Sequence, residues 1–280
     1  MSGAAPSAAR VGRDGALRLV FERRGGATVL AACRSTLPLQ VLAPVALGGT
    51  AAVVSMLNPT GGVVGGDRLA VEIDVGAGAH ACLTTPSATR VYRSAGEPAT
   101  QTVQVRLAPG AACEWVPDHM IPSPGAELRQ ALTFDVAAGA TLIAVDAWAA
   151  GRVARGEAWR FRLLDLALTV RDSGGLLAHD RLVLGSARDW SGLGLTEGRP
   201  YVATLVVVAD TGLEALIAAL AAGLPGEGRA VAGAARLARR AVLIRCLAAT
   251  APALTSAVAA MWARARQATL GLPPLDLRKG

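Results

Sequence analysis

Apolar and polar positions alternate over many short stretches of this chain. Leu69, Val71, Ile73 and Val75 are separated by Ala70, Glu72 and Asp74, the period-two pattern of a strand with one buried face. Upstream, residues 17–21, 27–32 and 37–45 read as short strands divided by Arg-Gly or Pro turns. The design of residues 71–84 then recurs at 103–116 and 132–145: an alternating strand, a turn ending in Gly-Ala, and a second apolar strand. The Gly-Ala pairs fall at 78–79, 110–111 and 139–140, and a looser fourth copy over 164–184 turns at Gly174-Gly175. A unit of this size cannot bury its apolar face alone, so such repeats stack. The pattern predicts an all-β-dominated, layered, solenoid-like body.

The periodicity changes in the last quarter. Residues 201–209 form a nearly continuous apolar run, as expected of a strand buried on both faces. Thr211 and Glu214 have the spacing of a capping box, predicting a helix that stops at Gly223 and Pro225. Residues 241–247 read as another strand. A second helix is expected over 255–270, with Val258, Met261 and Trp262 on one face and Arg264 and Arg266 in its later half. The organisation expected is a polar, disordered tail over 1–14, one body over 15–272 with appended helices, and a short tail over 273–280.

One stretch does not fit the alternation. Asn58-Pro59 opens a turn, and Gly61, Gly62, Gly65 and Gly66 surround Val63-Val64 before Asp67. Glycine at this density implies a tight, specifically shaped loop in which at least one residue has positive φ. A phosphate-binding loop is excluded on context, because a strand follows instead of a helix and no lysine is present.

Composition narrows the function classes. Hydrophobic residues reach 52% but aromatics only 4%, so small and aliphatic side chains do the packing. There is no apolar run long enough to span a bilayer and no secretory h-region. Cys33, Cys82, Cys113 and Cys246 are far apart, which suits reduced thiols and a cytoplasmic location. The net charge of +7 is C-terminal: from Arg229 onward there are eight Arg and one Lys against one Asp. No basic stripe with interleaved aromatics accompanies it, so an acidic protein partner fits better than a nucleic acid.

Catalytic signals are weak. The chain has no Gly-x-Ser-x-Gly elbow, and His80, His119 and His179 form no metal-binding pair. Asp118, His119 and Met120 could offer oxygen, nitrogen and sulfur to a metal such as nickel, but a polar turn is the simpler reading. Three carboxylates stand out: Asp67 at the loop–strand junction, Asp146 inside the apolar run 142–150, and Asp180 at a strand entry. An acid within an apolar run is costly to bury unless it is paired or faces water. The alternatives for Asp146 are a salt bridge to Arg152 or Arg155, or a place in a hydrated channel with Thr84, Thr85 and Ser87 as neutral lining.

Residues 58–62, 65–67, 83–85 and 92–94, in this order and spacing, resemble the signature of the urease accessory protein family UreD. Residues 38–41, 117–118, 121–122, 151–152, 156–157 and 261–262 extend the resemblance over most of the chain. Two departures are visible: Arg90 stands where many relatives carry Lys, and the chain ends LPPLDLRKG instead of in a Pro-Arg segment closing on Trp. The resemblance implies a β-helix-like fold and a non-enzymatic scaffold that works with UreF and, through it, the GTPase UreG. It further implies that nickel is delivered in transit to apo-urease, with no tightly bound cofactor. Asp67, Asp146, Asp180 and Thr85 become candidate stations for the ion, and Trp262, Arg264 and Arg266 a candidate surface for UreF. The competing reading is a β-helical hydrolase or lyase using Asp67 with Asp146 in one open groove.

Overall fold

The computed structural model describes residues 13–47, 49, 51–186, 188, 190–223, 228–277 and 279. Most of the expected disordered tail therefore lies outside the described residues. In chain order the strands are β1 (Asp14–Arg24), β2 (Ala27–Ser35), β3 (Gln40–Val41), β4 (Ala52–Leu57), β5 (Arg68–Val75) and β6 (His80–Thr84). There follow β7 (Thr89–Val91), β8 (Ala99–Leu107), β9 (Ala112–Trp115), β10 (Met120–Pro122), β11 (Glu127–Val136) and β12 (Thr141–Ala149). The short β13 (Gly151–Arg152) and β14 (Glu157–Ala158) flank a single 3-10 turn, Val153–Arg155. After β15 (Leu163–Asp172), β16 (Gly175–Gly185) and β17 (Tyr201–Val208) comes helix α1 (Leu213–Ala221). The chain closes with β18 (Ala230–Arg236), β19 (Ala241–Ala248) and helix α2 (Ala251–Leu270).

The three repeats are three rungs of a β-solenoid. In each, one strand lies in a seven-stranded sheet (β16-β15-β11-β8-β5-β1-β2) and the next in a ten-stranded sheet whose main path is β18-β19-β17-β12-β9-β6-β4-β3. Pairing between rungs is parallel in both sheets. The Gly-Ala turns explain why the repeat works. Gly78, Gly110 and Gly139 hold φ near +70° (65°, 67° and 71°), and the alanine after each is buried between the sheets. The turns also bond to one another: Ala112 N–H donates to the Ala79 carbonyl at 2.8 Å, and Thr141 N–H to that of Ala111 at 2.9 Å.

Four details differ from the sequence reading. The fourth copy does not cross between sheets, because β16 folds back on β15 as an antiparallel hairpin. The capping box at Thr211 is not formed; Gly212, at φ +83°, caps α1 and packs against the Ala268 carbonyl, where no Cβ would fit. Helix α2 starts earlier than expected, with Thr250 accepting from Ala253 N–H at 3.3 Å and Pro252 in the first turn. Of the expected strand over 37–45, only Gln40–Val41 and a bridge at Val45 pair.

Two cores result. One fills the space between the sheets around Phe21, Ile73, Phe134 and Leu164. The other lies between the outer face of the ten-stranded sheet and α1 and α2. At its centre Glu114 is fully buried, accepting hydrogen bonds from the Trp262 indole at 2.5 Å and from Arg266, and bonding His80 Nε2 at 2.7 Å. Burial alone would raise this carboxyl, but the His80 hydrogen bond and the Arg266 charge outweigh it and hold the carboxyl below its ordinary value. Trp262 and Arg266, expected on a partner-facing surface, are thus turned inward to fasten α2 to β6 and β9. Arg264 is half-buried, and its Nη1 has no hydrogen-bond partner among the described residues. Glu114→Ala would strand a buried guanidinium, at a cost of about 3–5 kcal/mol. Thermal denaturation is expected to show this loss, with Glu114→Leu combined with Arg266→Met much less damaging than Glu114→Ala alone.

Candidate functional site

Strands β4, β6 and β9 of the ten-stranded sheet all end at about the same level. Each is followed by a loop: 58–66, 85–88 and 116–119. Under this break lies a cavity of about 150 Å³ between the sheets, lined in part by Asn58, Gly61, Gly62, Thr85, Asp118 and Asp146.

The glycine loop is built by its own polar groups. The Asn58 amide donates to the Gly62 carbonyl at 2.7 Å, and its oxygen accepts from Thr60 N–H at 3.0 Å. Asp67 accepts from Val64 N–H at 2.8 Å and sits 3.6 Å from Arg13 Nε. Gly61, Gly62 and Gly66 have positive φ. Gly65 does not; there a Cβ would lie 2.6 Å from Ser94 Cα. The loop in turn holds β7: Val63 N–H donates to the Arg90 carbonyl and Tyr92 N–H to that of Val63, both at 2.8 Å. A Cβ on Gly62, at φ +155°, would run into the Arg90 carbonyl and the Tyr92 ring.

The three carboxylates have different surroundings. Asp67 is not among the cavity-lining residues; it is buried as the brace of the loop. Asp180 is paired with Arg245, whose Nη2 lies 2.8 and 2.7 Å from its two oxygens. Asp146 pairs with neither Arg152 nor Arg155; it accepts one hydrogen bond, from the Gln130 amide at 3.1 Å. Thr85 lines the cavity and accepts from Asp118 N–H at 2.9 Å. Since Asp67 and Asp146 share no groove, the paired-carboxylate catalytic arrangement is not assembled.

Sequence reasoning missed the residues around Asp146. Gln101 and Gln130 are register partners in β8 and β11, and Asp146, Thr204 and Arg245 are register partners across β12, β17 and β19. All sit at inward positions, and with Asp180 they form a polar rank across an otherwise apolar layer. The signal was present: each glutamine holds the parity of its strand's buried residues, Val103 and Val105 for Gln101, Leu128 and Leu132 for Gln130. Burial, opposed by the Gln130 hydrogen bond, pushes the Asp146 carboxyl up to about 6.

Asp118, Pro117 and Ala147 line both this cavity and a second hollow of about 220 Å³ under α2, where Lys279 pairs with Asp118 at 3.1 Å. His119 lines the second hollow but not the first and meets the Tyr201 ring edge-on, while Met120 enters the inter-sheet core. No group of three or more metal-ligating side chains occurs among the described residues.

The description of the UreD urease accessory protein family matches residues 13–279. The chain belongs to the UreD family. A urease accessory protein UreD of Alkalilimnicola ehrlichii is 37% identical over 98% of this chain and 94% of its own length. Those of Azoarcus sp. and Anaeromyxobacter sp. are 41% and 39% identical, covering 76% and 80% of this chain and 75% and 69% of theirs. Membership of UreD gives the chain a role in urease maturation, and these relatives are named as accessory proteins, not as enzymes. No described helix of the chain is long and apolar enough to cross a membrane.

Two outcomes are expected. Gly62→Ala should lower stability by more than about 1 kcal/mol in a denaturant titration, since its Cβ has no room and its φ is unfavourable. For Asp146, the native carboxyl keeps its proton to about pH 6, whereas an unfolded one releases it near 4. The unfolded state therefore binds fewer protons between those values, and stability falls as pH rises through them. Asp146→Asn should raise the melting temperature at neutral pH and leave it unchanged at about pH 3.

Proposed function

We propose that this chain is a non-enzymatic cytoplasmic scaffold of urease maturation, through whose interior nickel passes on its way to apo-urease. The observation that carries the reading is the rank of polar side chains across the apolar inter-sheet layer, with Asp146 beside the cavity. Burying an acid on one amide hydrogen bond costs stability, and a purely structural position would be better filled by an apolar residue. A route for a borderline cation explains its presence.

The ligand chemistry supports transit over storage. Amide, hydroxyl and single carboxylate oxygens give Ni²⁺ shallow wells, whereas clustered thiolates or imidazoles would hold it. The buried thiols do not compete: burial keeps Cys82 and Cys113 protonated and pushes Cys246 up to about 11. Trp115, which lines the cavity, has an indole N–H without an acceptor among the described residues, in keeping with a polar occupant. Pro117, Asp118 and Ala147 line both the cavity and the groove under α2, so an ion leaving past them would emerge under the helix. In this reading Asp146 and Thr85 are stations for the ion, Asp180 holds Arg245 in place beside them, and Asp67 shapes the entrance loop. UreF, and UreG through it, stand on one side of the scaffold and urease on the other.

The test is Asp146→Leu, which removes the oxygen ligands and fills the space. With urease co-expressed, metal analysis is expected to show nickel per urease reduced severalfold. The melting temperature should not fall, and co-purification with UreF should persist. Full nickel loading by the variant would overturn the passage through Asp146.

A further inference from the structure

Three sequence segments that the metal route leaves unused converge on one hollow: Arg90 and Tyr92, the residues around His119, and the Gly151-Arg152 turn with its 3-10 helix. The hollow measures about 350 Å³ and is separate from the Asp146 cavity. Its charge is lopsided. Arg90 and Arg155 are exposed and make no ion pair among the described residues. Arg152 is neutralised by Glu157, with Nε 2.5 Å from the carboxylate. No acidic side chain among the described residues lines the wall.

A second source of positive potential opens on the same space. Ala251, the first residue of the twenty-residue α2, is part of the lining. The first turn of α2 carries no acid to offset the positive end of the helix dipole. Capping does not remove this field, since Thr250 takes only the Ala253 N–H and Pro252 has none to offer.

The remaining lining is aromatic and aliphatic. Tyr92 donates from its hydroxyl to the Gly61 carbonyl at 3.3 Å, which leaves its ring as wall. Tyr201 is buried, with 8% of the residue exposed, and its ring is braced by the edge of His119 at 6.1 Å. Burial raises the Tyr201 phenol and lowers the His119 imidazole, so it disfavours charge on both rings.

The two free cations come from separate elements, β7 and the 3-10 turn, with an apolar wall between. A small free anion would use the cations alone and gain nothing from the rings. An extended chain carrying acids beside an apolar side chain would use both. Arg and Tyr are also the side chains that most often anchor protein interfaces. We propose that this hollow docks a short acidic segment of a partner protein, its carboxylates held by Arg90 and Arg155 and a neighbouring apolar side chain by Tyr92 and Tyr201. The proposal does not depend on nickel passage, because none of these residues belongs to the polar rank.

The experiment uses the full chain without metal and fluorescence anisotropy of a labelled octapeptide alternating glutamate with leucine. The peptide should bind, more weakly as salt increases, and its glutamine counterpart should bind at least about tenfold more weakly, a difference of about 1.4 kcal/mol. Arg90→Glu combined with Arg155→Glu should weaken the acidic peptide about tenfold or more. Arg171→Glu, an exposed charge change on β15, should leave it within about twofold. The milder Arg155→Gln should give an intermediate loss with an unchanged melt, which separates lost docking from lost folding. The proposal is overturned if the wild-type chain fails to bind the peptide, or if the double variant binds it normally. Displacement by inorganic phosphate at equal concentration would also overturn it, marking a small-anion site instead.

Discussion

Parallel, in-register stacking of the rungs is the constraint from which the rest of this structure follows. Each rung turns through a glycine at φ near +70°, and the turns bond to one another, so no rung can slip against the next. A given place in the repeat then becomes a row across the sheet. Leu69, Gln101, Gln130 and Leu166 occupy one such row, and two amides in it are enough to put polar groups side by side between the sheets. The same regularity makes the ends of β4, β6 and β9 coincide. Their three following loops can then leave a cavity where continuous strands would have closed the layer.

Two acids near this interior show how differently a fold can treat a buried carboxylate. Glu114 has three hydrogen-bond partners, and its two cationic or potentially cationic neighbours hold its carboxyl low; it is a fastener between a helix and a sheet. Asp146 has a single amide donor and is raised to about 6. The first arrangement favours folding, because breaking it leaves charge uncompensated. The second opposes folding at neutral pH and so points to a use outside stability. Asp180 lies between them, with its charge satisfied by Arg245 within the same rank.

The surface divides in a similar way. The C-terminal excess of arginine, which suggested an acidic partner, is spent partly on internal pairs: Arg245 with Asp180, Arg266 with Glu114, Arg239 with Asp172 and Arg240 with Asp210. The guanidinium groups around a formed hollow that make no ion pair among the described residues come from earlier in the chain. Net charge counted along the sequence therefore does not say where unpaired cations gather in the fold.

The sequence by itself determined the rungs, because alternation with period two and a Gly-Ala turn are local properties carried by residues 71–84, 103–116 and 132–145. It also determined that the 58–66 loop requires glycine, since positive φ is a single-residue preference. Burial of 201–208 on both faces followed from the same kind of local reading. What only the tertiary structure decided was which side chains meet. Thr211 and Glu214 had capping spacing, yet close packing of Gly212 on α2 set the start of α1 instead. Arg266 looked like a surface cation until Glu114, 152 residues away, was found beside it. Asp67 and Asp146 looked equivalent as acids beside apolar segments, but one folds into its own loop and the other faces a cavity. Periodicity fixes which face of a strand a residue occupies. It carries no information on what the opposite sheet brings to that face, because that contact depends on how distant segments pack.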